Sequence, residues 1–137
     1  MMPARKRLSK KQRLAVYEKY GGHCAYCGCE LAYKDMQVDH VDPYNLNDPN
    51  YNWGHGDKSK SADELNQMEN LMPACRMCNF YKSGGSLESF RERLRDTLLP
   101  NATKTFQFRL AEKYGLVEKH EKRKIFFYFE QEECDEK

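Results

Sequence analysis

Four of the six cysteines stand in two CxxC pairs, Cys24 with Cys27 and Cys75 with Cys78. A CxxC turn sets two thiolates on one side of a tight loop, and two such turns complete the tetrahedral sulfur site that zinc prefers. Zinc held by Cys24, Cys27, Cys75 and Cys78 is therefore the expected structural staple, with Gly28 supporting the first turn. A thioredoxin-like redox site needs one such pair at a strand-to-helix step, and two pairs argue against it. Cys29 and Cys134 have no partner at that spacing and read as spare thiols, although Cys29 stands close enough to Cys27 to compete for a metal. From Cys27 to Cys75 the pairs are separated by 47 residues, where an ordinary zinc ribbon carries roughly 15 to 20. The chain carries something between its knuckles.

The elements that position these residues come from a lean sequence. At 137 residues, with 39% hydrophobic and 32% charged residues, it has the length of one domain and little apolar material for a core. Aromatics at 12% are too many for a disordered chain, so a metal staple is what such a core needs. The longest aliphatic and aromatic run is Ile125 to Phe129, and the basic start of the chain has no apolar stretch behind it. We therefore expect no membrane span, no secretion signal, and a reduced cytoplasmic setting in a bacterial or phage-infected cell.

The net charge of +2 conceals segregation. Residues 1–13 hold six basic groups and no acids, residues 35–69 hold eight acids against Lys58 and Lys60, and residues 76–113 hold eight basic groups against four acids. Basic flanks suit a polyanion and a carboxylate-rich centre suits divalent cations, although solvated faces would look the same. Ser9 caps an expected helix over 10–20, stopped by Gly21 and Gly22. Met36–Asp39 reads as a strand, 42–60 as loop, and Ser61–Glu64 as a capping box opening a short helix to Met68. Leu87, Phe90, Leu94 and Leu98 form a helical stripe behind Ser86 with Pro100 beyond it, Phe106, Leu110 and Tyr114 form another, and Lys124–Glu130 reads as a closing strand. Trp53 anchors the long loop or stacks on a base; His23 and His55 lie off these motifs, with His23 beside Cys24 read as a neighbour of the zinc site or an exposed residue and not a ligand, and His120 needs no function.

Three stretches, CAYCG at Cys24–Gly28, VDHVDP at Val38–Pro43 and NLMPACRMCNFYK at Asn70–Lys82, together resemble the zinc-bearing branch of the HNH endonucleases over roughly residues 10–95. The resemblance implies an α+β fold: a small zinc-stapled ββα-metal, treble-clef-like domain with flanking helices and a C-terminal strand. The expected layout is a basic arm at 1–9, the nuclease domain at 10–100, a helix and strand packed on it at 101–130, and an acidic tail at 131–137. The resemblance makes His40 the general base, a role that suits a neutral imidazole. It makes Asp39 and Asn79 oxygen ligands of one catalytic Mg2+ or Mn2+, and gives Asn70 the work of fixing the imidazole and the metal loop. Lys82, one turn past Asn79, is placed to contact the phosphate. Two features depart from the family pattern: Asn79 stands where His is usual, and the 44–69 stretch is long and lacks the usual Gly-Gly.

The function implied is a metal-dependent endonuclease or nickase hydrolysing double-stranded DNA, with RNA cleavage a weaker option. Arg91, Arg95, Arg5, Lys6 and Arg7 are candidate phosphate contacts; Arg91 and Arg95 read equally well as a solvated helix face. With no separate recognition domain, the enzyme cuts with little sequence preference or takes its address from a protein partner, as in phage packaging or restriction settings. The alternative is an HNH-like scaffold that binds protein or DNA, for example a phage-encoded inhibitor of a host defence nuclease.

Overall fold

A computed structural model describes residues 8–42, 62–120 and 124–135. Helix α1 (Lys10–Glu18) begins at a full capping box: Gln12 N donates to the Ser9 hydroxyl and Ser9 N to the Gln12 side chain. Strand β1 (Gln37–His40) lies antiparallel to β2 (Leu71–Ala74), with Asp39 opposite Met72 and His40 opposite Leu71. The short helix α2 (Ala62–Leu65) and a 3-10 turn (Met68–Asn70) precede β2, and α3 (Arg76–Lys82) follows it. This is a mixed α+β architecture on a two-stranded sheet. No described helix is long and apolar enough to cross a membrane.

The sheet is too small to stand alone, and side chains brace it. Val16 of α1 is fully buried, and α1 packs on β2. Lys19 ends that helix by donating to the carbonyls of Met68 (2.8 Å) and Leu71 (2.7 Å), which fixes the entry to β2. Arg13 similarly donates to the Met36 carbonyl at 2.6 Å, before β1. The free edge of β2 is closed by the first knuckle, where Ala25 N donates to the Pro73 carbonyl at 2.8 Å.

The described chain divides into two compact units at Ser89/Phe90 and Ile125/Phe126, not after residue 100. Helix α4 (Leu87–Arg93) continues through a π-helical turn (Leu94–Leu98) into α5 (Leu99–Thr103). Pro100 was expected to end this helix and does not. The wide turn, in which Leu99 N donates to the Leu94 carbonyl, makes room for the proline ring and needs no N–H from it. Helix α6 (Phe106–Lys113) starts at the Thr105 cap, yet Phe106 is 72% exposed and Tyr114 76%, so that stripe is not core. Within Phe90–Ile125 only Phe90 is buried among the described residues.

The predicted C-terminal strand is not formed. Residues 124–127 are irregular, and helix α7 (Tyr128–Asp135) takes up most of the expected acidic tail. The aromatic run has strand propensity, but it docks end-on. Tyr128 N and Phe129 N, in the first turn of α7, donate to the carbonyls of Tyr26 (3.0 Å) and Ala25 (2.9 Å). The knuckle thereby satisfies donors that every helix start leaves unpaired. Gly28 makes the approach possible: its φ is +81°, and a Cβ there would stand 2.7 Å from the Tyr128 ring.

Candidate metal centre and catalytic site

The sulfur atoms of Cys24, Cys27, Cys75 and Cys78 all lie within 4.8 Å of one another. The first pair sits on a turn closed by Gly28 N to the Cys24 carbonyl at 2.9 Å; the second spans the start of α3, where Cys78 N donates to the Cys75 sulfur at 3.4 Å. Cys27 and Cys75 stand 3.8 Å apart, the edge of a tetrahedron built on zinc–sulfur bonds of about 2.3 Å. The electrostatics point the same way. A hydrogen bond from Cys78 pulls the Cys24 thiol down to about 4, while that bond and burial push Cys78 up and burial pushes Cys27 up. One thiolate forms readily and each further one is opposed by its neighbours, a conflict that a dication resolves. The four cysteines are thus able to hold a structural metal. Cys29 stands outside this group, its exposed thiol pushed up to about 12 first by burial and then by Cys27.

Asp39 and His40 are successive residues of β1 and so face opposite sides of the sheet. Asp39 turns toward α3. Its Oδ2 accepts the Tyr26 hydroxyl at 2.6 Å and meets the Lys82 ammonium at 3.0 Å. Its Oδ1 has no hydrogen-bond partner among the described residues. Burial and the Asp39 charge raise the Tyr26 phenol well above its ordinary range, which keeps it protonated and donating. Asn79 lies one turn before Lys82 on the same face of α3 and donates its side-chain amide to the Gln37 side chain, leaving its Oδ1 without a partner among the described residues. Asp39 and Asn79 thus belong to the facing sides of β1 and α3, bridged by two rungs, Gln37–Asn79 and Asp39–Lys82.

Lys82 is placed otherwise than its expected phosphate contact requires. It is 1% exposed, and its ammonium donates to the carbonyls of His40 (2.7 Å) and Gly85 (2.9 Å) besides meeting Asp39. Lysine is buried only when its charge and its donors are matched, and here they are. Lys82→Met, which keeps the stem but strands the Asp39 charge, is expected to cost about 3 kcal/mol in urea unfolding. An unchanged urea midpoint would show that the pair holds nothing.

The imidazole of His40 is buried and its Nε2 lies 3.1 Å from Asn66 Oδ1. Asn70, expected to fix that ring, instead clamps the chain just after it, accepting from Asp42 N and donating to the Asp42 carbonyl, each at 2.8 Å. The ring contact belongs to Asn66, which the sequence reading missed, as it missed Tyr26. Only Asn66's place just before the Asn-Leu segment hinted at it. Val41, Asp42, Glu64, Gln67, Glu69, Asn70 and Met72 line a hollow of about 340 Å³ beside the chain that follows His40.

The candidate phosphate contacts divide. Arg91 donates to the Ile125 carbonyl at 2.5 Å, and Arg95 pairs with the neighbouring exposed Asp96 at 2.8 Å. Arg5, Lys6, Arg7, Trp53 and His55 lie outside the described residues. His23 stacks on the Tyr128 ring at 5.5 Å, a packing role.

No family model and no curated protein matches the chain. Among solved structures, the type II-C Cas9 enzyme from Actinomyces naeslundii is similar to it at 25% identity and a TM-score of 0.45, over 66% of this chain and 9% of that one. The chain thus spans less than a tenth of that protein.

Proposed function

We propose that this chain is a zinc-stapled, metal-dependent endonuclease or nickase of the HNH type that hydrolyses phosphodiester bonds in double-stranded DNA. The observation that carries the reading is the end of β1, where a buried carboxylate faces a helix that begins in a cysteine knuckle and the next residue is a buried, hydrogen-bonded imidazole. Zinc on Cys24, Cys27, Cys75 and Cys78 fits the four-sulfur geometry. For the catalytic cation, Asp39 Oδ1 and the Asn79 side-chain Oδ1 are uncommitted oxygen donors of the kind that Mg2+ or Mn2+ takes. Lys82 already compensates Oδ2, so the pair suits one weakly held divalent ion.

The cation would supply Lewis-acid polarisation of the phosphoryl oxygen and charge stabilisation on the leaving 3′ oxygen. His40 takes the proton of the attacking water, and Asn66 Oδ1, beside Nε2, selects the tautomer in which that nitrogen carries hydrogen and Nδ1 is the base. Asn70 holds the backbone at Asp42, two residues past the imidazole. Asn66→Ala, which frees the ring, is expected to lower single-turnover cleavage about tenfold with zinc content unchanged; a rate equal to wild type would remove Asn66 from the site.

Because the leaving atom is the 3′ oxygen, the product carries a 3′ hydroxyl and a 5′ phosphate. Nicks made in labelled duplex with Mn2+ should therefore be resealed by DNA ligase. Nicks that ligase cannot close would contradict this chemistry, and an inert, zinc-loaded protein would favour the binding scaffold.

A further inference from the structure

Asp39 is held from both halves of the four-cysteine cluster. Tyr26 stands between Cys24 and Cys27, in the first knuckle, and Lys82 ends the helix that the second knuckle begins; both reach the same carboxylate oxygen. The Tyr26 ring has little freedom. It is 3% exposed, it packs against Phe127 and Phe129 at near-perpendicular angles of 79°, with centroids 5.5 and 6.2 Å away, and its carbonyl accepts Tyr128 N at 3.0 Å. A carboxylate gripped by one donor can turn about its Cβ–Cγ bond and exchange its oxygens. Two donors on Oδ2 decide which oxygen stays inside and which is presented.

We infer that Tyr26 is a positioning residue for the catalytic cation: its hydroxyl orients Asp39 so that Oδ1 faces the ion, and thereby ties the cation site to the structural knuckle. The inference rests on the reading of Asp39 as a cation ligand, given above. Groups that orient a ligand typically change metal affinity by about 10- to 100-fold when removed.

The test is Mn2+ titration of the zinc-loaded full chain, read by the electron paramagnetic resonance signal of free Mn2+, with no nucleic acid present. Tyr26→Phe keeps the ring and its aromatic contacts and removes only the donor. It is expected to raise the Mn2+ dissociation constant about tenfold while zinc stays at wild-type stoichiometry. Replacement of Tyr26 by 4-aminophenylalanine, which restores an N–H donor at the same place, should recover most of the affinity. Equal Mn2+ affinity in wild type and Tyr26→Phe would overturn the inference. So would loss of zinc in Tyr26→Phe, because the hydroxyl would then be holding the fold. A wild type that binds no Mn2+, or binds it equally after Asp39→Asn, would also sink it. A wild type that binds Mn2+ through Asp39 but cleaves nothing would defeat the nuclease reading alone.

Discussion

The Cys75→Ser chain is expected to lose its fold at chelator concentrations that the wild type withstands, and stripping zinc from the wild type should melt the sheet unit as a whole. The reason is how much one ion joins. The first knuckle closes the edge of β2 through Ala25 and seats α7 through the carbonyls of Ala25 and Tyr26, while the second opens α3. Cys75 is both a ligand candidate and the cap of that helix, accepting from Cys78 N. Structural zinc contributes roughly 10 to 16 kcal/mol in small domains, the size of a domain's entire stability. Far-ultraviolet circular dichroism against chelator concentration reads this directly. Coincident unfolding curves for Cys75→Ser and wild type would show that the sulfurs do not bear the fold.

His40→Ala should cut the single-turnover nicking rate of a duplex by about 100- to 10,000-fold, the range over which a positioned general base contributes. The fold should survive. Lys82 holds the His40 carbonyl and not the ring, so the substitution leaves that buried contact in place while it removes the imidazole and its bond to Asn66. Zinc content and thermal midpoint near wild type would confirm that the loss is chemical. A rate within threefold of wild type would mean that another group takes the proton.

The sequence made the frame of this site readable and left its supports hidden. Two CxxC spacings sufficed for the four-sulfur cluster, because that geometry is local to each turn. The strand carrying Asp39 and His40, expected over Met36–Asp39, was legible to within a residue. Tyr26 and Asn66 were not, since their partners are 13 and 26 residues away and become neighbours only when the sheet forms. Lys82 was misread for a related reason: a lysine after a knuckle looks solvent-facing until a buried carboxylate and two carbonyls are known to await it. The aromatic run at Ile125–Phe129 has the composition of a strand, but the sheet edge nearest to it is already taken by Ala25, so its backbone donors meet knuckle carbonyls and the chain turns into α7.

The most direct measurement of the central claim is relaxation of supercoiled plasmid by zinc-loaded protein with Mg2+ or Mn2+, run beside His40→Ala and an EDTA control from the same preparation. Open-circular DNA should accumulate with wild type and be absent from both controls. Relaxation that survives His40→Ala or EDTA would contradict it, as would a folded, zinc-loaded wild type that leaves the plasmid supercoiled.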